Sequence, residues 1–254
     1  MPSVTRTRNT TAGDDVAFGW PEDPGHPVLG IDITLPNSTG RILIELVPEL
    51  APASVAAIIE LANDGFYDGT TFHRVIPGFM IQGGDPNSRD RDPTNDGRGA
   101  SGRSLHDEFG PAPFVRGVVG LGNKGRENSS STQLFIMHAD NENLDGRYTV
   151  VGRVLHGMEL VDAITRVPID RSGRWGAKDR PIENVVMTRV RTVGQLAAVK
   201  ASLESETEAS NDEPSRLVAA EADASAREEP ASRHAPPASP GSNDDWQRLE
   251  ASGR

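Results

Sequence analysis

The run "FHRVIPGFMIQGGD", residues 72–85, sets Arg74 and Gln82 among apolar residues on either side of Pro77-Gly78. Proline followed by glycine between two apolar runs predicts a turn joining two short β-strands. Side chains alternate faces along a strand, so Met80 and Gln82 share one face and Ile81 takes the other. If Arg74 projects on the Met80/Gln82 side, the neighbouring strand offers an amide to hold its guanidinium. A solvated arginine on a strand face is the commoner arrangement, but it does not explain the apolar neighbours. Farther along, Gln133, Phe135 and Met137 alternate in "QLFIMH" and predict another strand with a polar residue beside an aromatic one. The surface expected from these runs is an apolar pocket edged by one fixed cation and two amides.

Around this stretch, residues 28–193 read as many short strands and two helices. "VLGIDITL" and "RILIELV" flank the turn-like "PNSTG" and predict a hairpin. In "APASVAAIIELANDGFYDG", Pro52 marks a helix start, Gly65 its end, and Val55, Ile58, Ile59 and Ala62 the apolar stripe. Further strands are expected at residues 71–76, 79–82, 114–121, 133–138 and 148–154, with "ENVVMTRVRTV" as the last. A second helix fits "GMELVDAITRV", with Leu160, Val161, Ile164 and Val167 on one side and Pro168 stopping it. About eight short strands with two helices predict a mainly β domain, a closed or nearly closed antiparallel β-barrel capped by helices. Residues 1–27 read as an N-terminal extension with Phe18 and Trp20 as packing points. Residues 194–254 read as an acidic, largely disordered tail beginning with a short helix, because few residues there can bury apolar area against the ordering entropy.

Composition excludes several functions. A formal net charge of −11 argues against nucleic-acid binding and against docking to anionic membranes. With no cysteine there is neither a disulfide nor thiolate chemistry. The N-terminus has no apolar core of signal-peptide length and no segment has the length of a membrane span, so a soluble cytoplasmic protein is expected. "GLGNKG" matches G-x-G-x-x-G, but a polar loop and another strand follow it where a phosphate-binding loop needs a helix. Its glycines suit a loop whose backbone approaches a ligand. The six histidines show no metal-ligand spacing, so no metal is expected. Without a G-x-S-x-G elbow, the serines at 129–131 make no hydrolase centre. His73, beside Arg74, reads as a structural histidine first and a general base second.

"FHRVIPGFMIQGGD", followed by "GVVGLGN", "STQLFI" and "NLDGRYTVVGRV", resembles the cyclophilins, the cyclosporin-binding family of peptidyl-prolyl cis-trans isomerases. The resemblance covers residues 28–193. It implies a closed eight-stranded antiparallel β-barrel capped by two α-helices, with the active groove on the outer face and no cofactor. It also implies proline-containing peptides and folding proteins as partners of a monomer. Carried over position by position, Arg74 would be the catalytic arginine and Gln82 would orient its guanidinium. Phe79, Met80, Phe135 and Leu144 would line the proline pocket, with Leu121 nearby. Asn123 would pair with the substrate backbone, Gln133 would sit beside it, and Tyr148 stands where the family often has histidine. Asn143 stands where eukaryotic members carry the tryptophan that contacts cyclosporin, which implies weak drug binding with isomerase activity kept. The rival expectation is a non-catalytic module that binds proline-containing segments or acts as a chaperone.

Overall fold

The computed structural model describes residues 18–102, 104–123, 128–130 and 133–207. The chain divides into two units, Met1–Ser205 and Glu206–Arg254. Residues 1–17 and 208–254, with the tail's Trp246, lie outside the described residues.

Among the described residues between 27 and 195 there are ten strands and two α-helices: β1 (Pro27–Leu35), β2 (Ser38–Leu46), α1 (Pro52–Asn63), β3 (Arg74–Ile76), β4 (Met80–Gly83), β5 (Val118–Leu121), β6 (Leu134–Met137), β7 (Val150–His156), α2 (Met158–Ile164), β8 (Ile169–Asp170), β9 (Arg180–Pro181) and β10 (Val186–Gln195). Eight of the strands form one antiparallel sheet in the order β10-β1-β2-β7-β5-β6-β4-β3, and β8 pairs with β9 apart from it. The expected closure is corrected here, because the ladder runs open from β10 to β3. Just before β3, the segment 69–72 meets β10 through an isolated bridge, Thr71 to Val186, and through bonds such as Gly69 N to Met187 O at 2.8 Å. Counting strands from sequence does not say whether the first and last share a ladder.

The core lies on one face of this sheet. Alternate residues Leu29, Ile31 and Ile33 of β1, Ile42, Ile44 and Leu46 of β2, Val119 and Leu121 of β5, and Ile81 of β4 enter it. Val55, Ile58, Leu61 and Ala62 of α1 and Leu160, Val161 and Ile164 of α2 pack into the same cluster. This period-two burial makes the register costly to slip, since a shift by one residue would turn every one of these side chains outward. Pro52 begins α1, where its missing N–H costs nothing. Ala51 at the cap has no side-chain acceptor, and Glu108 supplies one from a distant loop, accepting from Ala53 N at 3.1 Å and Ser54 N at 2.8 Å. The second helix is a turn shorter than the sequence pattern suggests, ending at Ile164.

A second apolar cluster occupies the opposite, outer face: Met80, Ala112, Phe114, Val118, Phe135, Met137 and Val150, with Phe18, Trp20, Phe79, Leu144 and Tyr148 against it. Residues 196–207 are helical. Leu196, Val199 and Leu203 along that helix join Val28, Leu43 and Leu155 in a third cluster. The spacing is that of one helical face, which is how a largely polar segment finds a seat.

Candidate active site

Strand register builds the site. Arg74 pairs with Gln82, Gln82 with Phe135, Phe135 with Gly120, and Gly120 with Val150. Directly paired residues point to the same face, so one row across five strands carries the arginine, the amide and the aromatic ring. One step along, Ile76 pairs with Met80 and Met80 with Met137, and Val118 pairs with Arg153. The Arg74 side chain therefore stands with Met80 and Gln82 on the outer face, and neighbouring Val75 faces the core.

Gly120 makes room for the pocket floor. A Cβ there would lie 2.5 Å from Phe135 Cζ and 2.8 Å from Phe114 Cε1, so only glycine lets these rings lie over the strand. The sequence reading of a glycine approached by a ligand is corrected at this position: two aromatic side chains of the chain itself make the approach. Phe114 stacks on Phe135 with centroids 5.6 Å apart and planes at 23°. Tyr148 stands edge-on to both, at 6.3 Å from Phe114 and 5.6 Å from Phe135. These offset and edge contacts match the positive ring edge to the negative face. The sequence predicts Phe114 only as the start of a strand over 114–121 and not as a groove residue; that strand begins later, at Val118, and Phe114 lies before it in the proline-containing run "GPAPFVRG".

Two side-chain amides and two backbone carbonyls form a chain of bonds. Gln133 Nε2 donates to the carbonyls of Gly97 at 2.9 Å and Gly99 at 3.2 Å. Its oxygen is thereby left to accept, and Gln82 Nε2 donates to it at 2.7 Å. This leaves the Gln82 carbonyl oxygen and one of its two amide hydrogens unused among the described residues, and the oxygen is an acceptor on the residue paired with Arg74. Among the described residues, no hydrogen bond or ion pair engages the partly buried Arg74 guanidinium.

Most of the remaining expected residues gather here. Phe79, Met80, Phe135, Leu144 and Tyr148 belong to the outer cluster, and Asn123 follows β5 in the next loop, its Nδ2 3.5 Å from Arg147 O. Gln133 immediately precedes β6, and its carbonyl accepts from Gly122 N at 2.7 Å. Asn143 lies exposed in a short 3-10 turn, Glu142–Leu144. Leu121 does not join them. It is fully buried in the inner core, because it follows Gly120 and so faces the other way. His73 is also buried. Burial pushes its pKa down, Asp85 and Asp96 pull only partly against this, and the net shift is downward. It is a neutral core imidazole.

A second polar network on the outer face escaped the sequence reading. His26 Nδ1 bonds Glu45 at 2.8 Å and His26 Nε2 bonds Glu49 at 2.9 Å, while Arg153 Nε donates to Glu45 at 2.8 Å and its guanidinium lies 5.0 Å from the Trp20 ring. Asp23, His26 and Glu49 also bring potential metal-ligand atoms within 4.8 Å of one another, a grouping that spacing along the chain did not reveal. Burial works against a charged His26, but the two carboxylates outweigh it and raise its pKa. Burial likewise opposes the charge on Glu45, and its bonds to His26 and Arg153 win, lowering its pKa.

Comparison with known proteins agrees with this geometry. The family model described as cyclophilin type peptidyl-prolyl cis-trans isomerase matches residues 31–192. The chain is 44% identical over 159 residues to a probable peptidyl-prolyl cis-trans isomerase of Brucella suis, covering 61% of this chain and 81% of that protein. It is 34% identical over 162 residues to a peptidyl-prolyl cis-trans isomerase of Arabidopsis thaliana, covering 63% of this chain and 94% of the other. Among solved structures it is similar to a Cryptosporidium parvum cyclophilin type peptidyl-prolyl cis-trans isomerase crystallised in the presence of the dipeptide Ala-Pro. That likeness has a TM-score of 0.57 and 25% identity, over 66% of this chain and 99% of that one. The family match takes in the Arg74 row, the aromatic floor and nearly all of the sheet that carries them, and the chain belongs to the cyclophilin-type peptidyl-prolyl cis-trans isomerases.

Proposed function

We propose that the outer-face groove accelerates rotation about X-Pro peptide bonds, with Arg74 acting on the twisted amide and the aromatic cluster holding the proline ring. The reaction breaks no covalent bond. Its barrier of about 18–20 kcal/mol is the amide resonance lost as the C–N bond turns. In the twisted state the prolyl nitrogen becomes pyramidal and gains a lone pair that the planar states lack. A donor aimed at that nitrogen binds the transition state better than either ground state, which is the condition for catalysis. Arginine suits the role because it stays charged and presents its donors in a rigid fork.

The observation that carries this reading is the pairing of Arg74, without an ion-pair partner among the described residues, with a glutamine whose amide is already committed to Gln133. The Gln82 oxygen offers an acceptor, which suits a residue that orients a guanidinium. One charge-assisted hydrogen bond made only in the transition state, about 1.5–3 kcal/mol, gives roughly 10- to 150-fold. The cluster of Phe79, Met80, Phe135, Leu144 and Tyr148 contributes the rest by gripping the ring. It also desolvates the amide, whose charge-separated resonance form prefers water. Asn123 and Gln133 border the groove where the peptide backbone would run. Proline-containing peptides and folding chains are the partners this chemistry fits, in keeping with the Ala-Pro present with the Cryptosporidium parvum relative.

The test is NMR exchange spectroscopy on a short Ala-Pro peptide. Uncatalysed exchange takes tens to hundreds of seconds, so catalysis into the millisecond range is unmistakable. Exchange cross-peaks are expected with the wild type and strongly weakened with Arg74→Ala. Peptide shifts without accelerated exchange would instead favour the non-catalytic binding module.

A further inference from the structure

The turn that joins β3 to β4 carries one groove wall and connects Arg74 to Gln82. Ile76, Pro77, Gly78 and Phe79 form it, with Phe79 N bonded to Ile76 O at 3.0 Å. Pro77 in second place and Gly78 in third, at a φ of 76°, give the pattern of a type II turn. The turn's own bond leaves the Gly78 N–H unused, and a side chain from beyond the end of β6 takes it: Gly78 N donates to His138 Nδ1 at 2.9 Å. The backbone at the same place adds two more bonds, from His138 N and Ala139 N to Phe79 O at 2.9 and 3.3 Å.

The rest of the network settles the state of the imidazole. An N–H can donate only to a nitrogen with a lone pair, so Nδ1 carries no hydrogen. Thr165 Oγ1 gives its hydrogen to Asp162 O at 2.8 Å, so towards His138 Nε2, 3.5 Å away, it accepts. The neutral ring with hydrogen on Nε2 satisfies both neighbours. Asp162 Oδ1 of α2 lies 3.2 Å from the same nitrogen, and Arg116 ion-pairs with Asp162 at 2.8 Å while donating to His138 O at 2.9 Å. Arg166 adds a second positive charge near Asp162. A proton added at Nδ1 would face the Gly78 N–H donor to donor and break that contact.

We infer that His138 is a positioning residue for the isomerisation, holding the Gly78–Phe79 turn through its unprotonated Nδ1. The inference rests on the isomerase reading of the groove.

The test follows Ala-Pro exchange by NMR at pH 8 for the wild type, His138→Ala and His138→Asn, alongside urea unfolding of each. Loss of one neutral hydrogen bond predicts that His138→Ala lowers kcat/KM at pH 8 by about three- to tenfold. His138→Asn, whose amide oxygen can stand near the Nδ1 position, recovers most of that. Three outcomes would overturn the inference: His138→Ala matching the wild type, His138→Asn no more active than His138→Ala, or a loss in His138→Ala explained by its unfolded fraction alone. No acceleration by the wild type would overturn the isomerase reading itself, and the inference with it.

Discussion

Arg74 and Arg153 stand on the same face of one sheet with three strands between them, and they are treated in opposite ways. Arg153 has a carboxylate partner. Its guanidinium donates to the buried Glu45, whose other oxygen takes His26, and it lies against the Trp20 ring. Arg74 is partly buried among apolar side chains with no carboxylate paired to it among the described residues. An ion pair lowers the cost of bringing a charge to an apolar face, and one left without a partner keeps its donors for something else. The contrast separates a structural cation from a functional one where the residue type alone does not.

Substitutions can break that contrast from either side. The largest effect is expected at Arg74→Ala, which should cut kcat/KM on an Ala-Pro peptide by roughly 10- to 150-fold. Its urea midpoint should stay near the wild-type value, within about 0.5 kcal/mol, since no described bond is lost. Gly120→Ala attacks the floor that both rings share. The added Cβ must displace Phe135 and Phe114, and overpacking of this kind costs about 1–3 kcal/mol. A raised KM should accompany the fall in the thermal midpoint. Arg153→Ala should do the reverse of Arg74→Ala, losing about 1–3 kcal/mol of stability as Glu45 is left with His26 alone, and changing turnover less than about twofold.

The smallest effect is a pH dependence confined to the structural network. The carboxylates raise the His26 pKa above its ordinary 6.5, so its contribution is complete below that value and fades as pH rises through the higher folded value. The Glu45 pKa is lowered from 4.5, so its contribution holds above that value and is lost as pH falls through the lower folded one. Urea unfolding of wild type and His26→Gln should therefore differ most near pH 6 and converge towards pH 9, by on the order of 1 kcal/mol. A gap that is constant across this range would show that His26 acts by shape and not by charge.

How far the sequence could be read follows from how local each feature is. Arg74, Met80 and Gln82 share a face because a short hairpin fixes its own register, and alternation within fourteen residues exposes that. The family resemblance then joined Phe135, Leu144 and Tyr148 to the groove. Leu121 was placed beside them, yet its neighbour Gly120 faces the groove and Leu121 faces the core. The sequence reads Phe114 as the first residue of a strand over 114–121, but the strand begins at Val118, so alternation could not place its ring. The His26 network was invisible for a different reason: its members are separated by 19 to 108 residues, and only the β1–β2–β7 pairing unites them. Closure of the sheet depends likewise on a contact between segments more than a hundred residues apart, about which strand count is silent.

The division between the two arginines is tested most directly by measuring Ala-Pro exchange for Arg74→Ala and Arg153→Ala side by side, at equal concentrations of folded protein. Arg74→Ala is expected to lose roughly 10- to 150-fold in exchange rate while Arg153→Ala stays within about twofold of wild type. Equal rates in the two variants would contradict the account and move the origin of catalysis away from Arg74.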